Sequence, residues 1–243
     1  IDPVAISHSL QFMTVYCLYS LAAIVFLWKR EKLLASETRL LIFFTLTGCL
    51  TSYFDFLTYP LVTYGVPATL YLCSVPDATW KKALKGLVLT LVAWGVGYVG
   101  MWTGKWILGS LLGGGNLLEE ALRLLRIRTS NSDAAGAQAS LFMLVKRQLF
   151  RLKSPSLAVA AVYVLVTGVC FLKRAPRRKL AGLSWLPWIA LCVLPFVWYV
   201  GAFNHSYVHA FFTYRELMIT AFCGMCLLTR YARKVENPTP LKA

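Results

Sequence analysis

Two short polar strings interrupt an otherwise apolar chain, and they hold most of the side chains able to do chemistry. One is Ser52-Tyr-Phe-Asp55-Phe-Leu-Thr58-Tyr-Pro60. The other is Asn204-His205-Ser-Tyr-Val-His209-Ala-Phe-Phe-Thr213-Tyr214-Arg215-Glu216. Asp55 is a carboxylate able to take a proton from an attacking hydroxyl. His205 and His209 stand four apart, so on a helix they share a face, and Glu216 falls on that face three turns further on. Asp55, His205 and His209 are therefore the candidate catalytic groups. Joined by His8, they would also make a zinc site of catalytic type, with three ligands and an open position, as in a zinc-dependent membrane hydrolase. No His-Glu-x-x-His signature accompanies them, and histidines so placed also serve as hydrogen-bond donors to substrate or backbone. Asp55 paired with Arg215 would instead be an ion pair that locks two helices.

A second chemistry resides in the cations. Lys105, Arg123, Arg126, Arg128 and Arg215 are candidate phosphate-binding residues, because a guanidinium fork meets phosphate oxygens two at a time. Lys146, Arg147, Arg151 and Lys153 follow in the same region. The competing reading is a solvated helix whose cations touch lipid head groups. No nucleophile elbow, P-loop or dinucleotide fingerprint is present, so the sequence identifies no cofactor.

The elements that must position these groups follow from composition. The chain has 243 residues, 58% hydrophobic and 14% charged, with a net charge of +15 and a mean hydropathy of +0.62. Soluble domains carry about 25% charged residues, so a soluble enzyme, a nucleic-acid binder and a disordered scaffold are all poor fits. Crossing a ~30 Å hydrocarbon core takes about 20 apolar residues. Seven stretches approach that length: 10–28, 40–58, 60–76, 86–104, 156–172, 183–202 and 210–229. The expected fold is an all-α polytopic bundle of about seven spans, one transmembrane domain over 1–243. Pro67, Pro187 and Pro195 predict kinks.

Sixteen of the 25 basic residues fall in one alternating set of connections and the tail, among them Lys29, Arg39, Lys81, Arg174 and Arg233. These belong inside, which puts the N-terminus outside and the C-terminus inside. The other nine lie outside, eight of them in one long loop over 105–155. Within that loop Asn116 and Glu119 resemble a capping box. Glu119, Arg123 and Arg126 then form one stripe, with Leu117, Leu118, Ala121, Leu122 and Leu125 opposite, predicting an amphipathic helix that lies in the membrane interface. The seven cysteines sit in apolar stretches and read as packing residues, Cys223 and Cys226 included. Gly95, Gly97 and Gly100 read as points of close helix approach.

Four strings carry a resemblance: Ser9–Phe12 (SLQF), 53–67 (YFDFLTYPLVTYGVP), 100–106 (GMWTGKW) and 204–215 (NHSYVHAFFTYR). They resemble a group of poorly characterised bacterial multi-pass membrane proteins, similar in architecture to the glycosyltransferase-C superfamily. The resemblance implies a cytoplasmic-membrane protein of the cell envelope that uses polyprenyl-phosphate-linked sugars at the outer face. Partners would be membrane lipids and that donor, with no nucleic acid. It also implies a catalytic acidic residue in a first outer loop after an N-terminal helix, so the chain looks like a C-terminal portion supplying donor-phosphate and acceptor groups. A transporter or assembly subunit is the third class, although the spans lack mid-depth charges and repeat symmetry.

Overall fold

A computed structural model describes residues 13–55, 57–75, 78–113, 115–130, 140–151 and 183–232, together with 162, 165, 166, 168 and 169. Every regular element among the described residues is helical. In chain order these are α1 (Thr14–Trp28), α2 (Arg30–Leu34), α3 (Glu37–Phe54), α4 (Val62–Ser74), α5 (Trp80–Gly113), α6 (Leu117–Thr129) and α7 (Leu141–Phe150). Then come α8 (Leu186–Gly201), α9 (Phe203–Val208), α10 (Ala210–Thr213), a 3-10 turn (Tyr214–Glu216) and α11 (Leu217–Ala232). His8 and most of the expected span 156–172 lie outside the described residues.

The long helices bury one stripe and expose another that is just as apolar. α3 turns Leu40, Phe44, Thr47, Gly48 and Thr51 inward and leaves Ile42, Leu46, Leu50 and Tyr53 exposed. α5 buries Ala83, Leu87, Thr90, Trp94 and Gly97 and exposes Val88, Val92, Val96 and Val99. A water-facing helix shows polar residues on that outer face. Two segments, Trp80–Gly113 and Ala210–Arg230, are long and apolar enough to cross a membrane, while Thr14–Trp28 and Leu186–Gly201 are apolar but shorter. α4, with 13 residues, reaches only about 20 Å.

Contacts fix the directions of the helices. On α3 and α5, Gly48 packs on Trp94 and Gly97 on Thr45 at one crossing point, where a Cβ at Gly97 would stand 2.0 Å from the Thr45 carbonyl oxygen; Lys105 meets Ser52 further along both helices, so the two run parallel. Gly95 and Gly100 face open space, so of the three glycines only Gly97 makes the close approach. α4 runs against α5: the Trp94 Nε1–H donates to Thr63 Oγ1 (3.1 Å), and the Tyr64 hydroxyl to the Leu87 carbonyl (2.8 Å). The Thr51 and Thr63 hydroxyls share a 2.7 Å hydrogen bond, which adds α3 to this polar seam. α8 and α11 are antiparallel, with the Thr220 hydroxyl on the Cys192 carbonyl (2.7 Å) and the Cys223 thiol on that of Trp188 (3.5 Å). The described cysteines are all free thiols.

The bundle therefore has two ends. Leu72, Trp188 and Arg230 meet at one, where the Arg230 guanidinium donates to the Leu72 carbonyl (3.4 Å) and lies over the Trp188 ring (5.8 Å). Thr14, Ser52, Phe54 and Lys105 meet at the other. Pro187 stands in the first turn of α8, where its missing N–H costs nothing; Pro67 and Pro195 lie inside helices. One expected boundary moves. The long loop does not begin at 105, because nothing breaks the helix before Gly113-Gly-Gly115, and α5 continues through Lys105 to Gly113.

Candidate functional site

Beyond Phe54 the chain must turn back into α4, and Asp55 builds that turn. Its two carboxylate oxygens accept from the Thr58 backbone N–H (3.1 and 3.0 Å), and the Thr58 hydroxyl donates to Oδ1. Between them Leu57 sits at φ 64°, a left-handed conformation costly for a leucine. Two side chains from the 204–216 string hold this turn from the far side. His205 Nε2 is 2.5 Å from the Leu57 carbonyl, and Glu216 Oε1 accepts from the Leu61 N–H (3.1 Å) just before α4 begins. His205 and Glu216 thus do act on one side, as their spacing predicts, but on the 55–61 turn rather than on a metal.

Asp55 also faces a cavity of about 400 Å³ lined by Ser52, Asp55, Leu57, Tyr98, Trp102, Lys105, Trp106, Leu117 and Arg128. Three walls make it. The end of α3 and the turn supply Ser52, Asp55 and Leu57. The extended end of α5 supplies the aromatics and Lys105, whose Nζ donates to the Ser52 carbonyl at 2.7 Å, where a cation also meets the negative end of the α3 dipole. α6 supplies Leu117 and Arg128. The buried Ser52 hydroxyl has no hydrogen-bond partner among the described residues.

The α6 helix is capped as expected: the Asn116 side-chain carbonyl accepts from the Glu119 N–H (3.3 Å). The Glu119 carboxylate meets the Asn116 side-chain amide (3.4 Å), a variant of the reciprocal bond. Asn204 donates to the Ile127 carbonyl (2.9 Å), docking α6 beside α9. Ala121 is buried and Arg128, two turns on, lies half-buried on the same side, which is why Arg128 reaches the cavity while Arg123 and Arg126 do not. Arg123 forks onto Glu120 instead (2.7 and 2.5 Å), and Arg126 is exposed.

Arg215 is also absent from the cavity. Its guanidinium lies over the rings of Tyr59 (5.4 Å) and Tyr214 (5.8 Å), contacts that recover part of the cost of burying a cation. The expected ion pair with Asp55 therefore does not form. The ion pair found among the described residues is Arg123–Glu120.

Neither histidine is among the residues that line this cavity. His205 is 6% exposed, and burial above all, helped by the charge of Arg128 and by His209, pushes its ring down to about 4 against the pull of the Leu57 carbonyl. At neutral pH it is uncharged, and its Nε2–H donates to Leu57. It holds the turn through Leu57. His209 stacks on Phe212 (5.2 Å between centroids, 14° between planes) and is likewise lowered, by burial first and Arg128 second. No group of three metal-ligating side chains occurs among the described residues. The remaining ligand of the zinc alternative, His8, lies outside them.

Of the eight candidate residues, the structure brings Asp55, Lys105 and Arg128 to one cavity. It sets His205 and His209 behind it and leaves Arg123, Arg126 and Arg215 elsewhere. Gln148 was not foreseen. Fully buried, its side-chain amide donates to the Ser206 carbonyl (2.6 Å) and the Thr213 hydroxyl (3.0 Å), fastening α7 to the 204–216 string. Its signal in the sequence was a lone uncharged polar residue between apolar and basic ones. The chain matches no protein-family model, no curated protein and no solved structure.

Proposed function

We propose that this chain is a multi-pass protein of the bacterial cytoplasmic membrane, glycosyltransferase-C-like, whose Asp55 cavity accepts a polyprenyl-phosphate-linked sugar at the outer face. The observation that carries the reading is the meeting of a carboxylate, two cations and three large aromatics, namely Asp55, Lys105, Arg128, Tyr98, Trp102 and Trp106, in one cavity. Aromatic faces suit a sugar ring, the cations suit a phosphate, and the carboxylate suits a hydroxyl that must lose its proton.

The membrane placement rests on the apolar outer stripes of α3 and α5 and on the helix directions. α1, α4 and α11 run one way; α3, α5 and α8 run the other. α5 finishes at the Lys105 end and α8 starts at the Arg230 end, as an odd number of crossings between them requires. Seven spans with the N-terminus outside satisfy this order, and the inside end then collects the basic connections.

In the reaction the donor enters laterally and its phosphate meets Lys105 and Arg128. Asp55 takes the proton of the acceptor hydroxyl, whose oxygen bonds to the anomeric carbon as the bond from that carbon to the phosphate oxygen breaks. The departing lipid phosphate keeps the electron pair, and the two cations stabilise its growing charge. Asp55→Asn retains an acceptor for Thr58 but no base. Membranes carrying the full-length protein, given a radiolabelled polyprenyl-phosphate hexose, should lose transfer by more than ~100-fold while the variant melts near the parent temperature. Transfer unchanged in Asp55→Asn would remove Asp55 as the base.

A further inference from the structure

A second groove lies on the far side of the 204–216 string. It is about 420 Å³ and is lined by Met143, Lys146, Arg147, Phe150, Arg151 and Tyr207. Its origin is the anchoring of α7 by one narrow seam. Leu144 and Gln148, four apart, are fully buried and fasten the helix to Tyr199, Phe203, Ser206 and Thr213. Everything else on this ten-residue helix faces outward apart from the half-buried Val145, and what faces outward is apolar or cationic. Phe142 is 74% exposed, Phe150 59% and Met143 54%. Arg147 lies over the Tyr207 ring at 4.6 Å, leaving Lys146 and Arg151 on either side of it. Among the described residues, no acidic side chain lines the groove.

An apolar floor under three cations matches a particular ligand. Water would not tolerate so many exposed phenylalanines on one short helix, and a free phosphate would make no use of Met143, Phe150 and Tyr207. A diacyl phosphodiester uses both halves: its phosphate between Lys146 and Arg151, its first acyl methylenes along Met143 and Phe150. We infer that this groove binds an anionic phospholipid of the surrounding leaflet, and that the bound lipid seats α7 at the membrane surface beside the Asp55 cavity. The inference rests on the membrane placement proposed above, but the site shares no residue with that cavity, so its failure and that of the sugar-transfer reading are distinguishable.

Native mass spectrometry of the full-length protein in detergent, titrated with phosphatidylglycerol or with phosphatidylcholine of the same acyl chains, tests this. The parent protein should retain phosphatidylglycerol adducts in preference. The double variant Lys146→Gln, Arg151→Gln, which leaves Arg147 on Tyr207, should weaken phosphatidylglycerol binding about ten- to thirtyfold and leave phosphatidylcholine unchanged. A control with the same loss of charge, Arg123→Gln with Arg126→Gln, should bind like the parent. Equal loss in the control would make the attraction diffuse and overturn the site. No preference for phosphatidylglycerol in the parent would also overturn it, as would undecaprenyl phosphate displacing phosphatidylglycerol at much lower concentration, which would reassign the groove to the carrier lipid. A double variant whose melting temperature falls by many degrees in lipid-free detergent would show a structural role for these cations and count against the proposal.

Discussion

His205 donates its single N–H to the carbonyl of a leucine in a strained conformation, and this one bond couples the 204–216 string to the turn that presents Asp55. Its protonation is therefore a folding event. In the unfolded chain the imidazole titrates near 6.5, whereas in the folded chain it stays neutral until about pH 4. Between those values the unfolded state binds the extra proton, so acidification destabilises the fold by up to ~1.4 kcal/mol per pH unit, and the stabilisation is complete above ~6.5. His209, also lowered, adds to the same slope. Melting temperature followed from pH 7.5 to 4.5 should fall across this window. His205→Gln, which keeps a donor for Leu57, should flatten the fall; an unchanged slope in that variant would assign it to other groups. The two string motifs were legible in the sequence as a functional neighbourhood, because ionisable residues are rare in so apolar a chain. Their roles were not legible. A histidine four residues from another is equally consistent with a ligand, a base and a donor, and the 2.5 Å approach to Leu57 adds the donor role to the sequence pattern.

Among the elements, the α3–α5 pair is the frame on which the cavity is built, since Ser52 and Asp55 come at or just past the end of one and Tyr98, Trp102, Lys105 and Trp106 from the other. Backbone contact at Gly48 and Gly97 fixes that pair. Gly97→Ala would drive a methyl into the Thr45 carbonyl oxygen, 2.0 Å away, and should cost ~1–3 kcal/mol. Gly95→Ala, with nothing within 4 Å, should be neutral or raise stability by up to ~1 kcal/mol through helix propensity. Thermal unfolding of the two variants side by side separates them, and equal effects would contradict the packing described. That the chain is helical, and roughly where each helix lies, could be read from apolar run lengths and Pro and Gly breaks. Which of three clustered glycines makes the contact could not, since that depends on helix rotation about its axis. For the same reason Arg123, Arg126 and Arg128 looked alike: only the docking of α6 through Asn204 and Ala121 turns Arg128 inward.

For the whole molecule, three groups of cations stand out in a chain of net charge +15 and mean hydropathy +0.62. In the proposed membrane placement, the connections at the Arg230 end carry the charge that orients the protein. On α7, Arg147 sits over the Tyr207 ring beside Lys146 and Arg151, the phosphate ligands inferred above. Lys105 and Arg128 share a cavity with a carboxylate, Asp55, and the central claim is that this cavity holds a lipid-linked phosphate. The direct measurement is the affinity of the purified full-length protein for undecaprenyl phosphate in nanodiscs made of zwitterionic lipid. Lys105→Gln with Arg128→Gln should weaken binding at least ~10-fold, whereas Arg123→Gln with Arg126→Gln should leave it within ~2-fold. Equal affinity in the parent and the Lys105, Arg128 double variant would contradict the account.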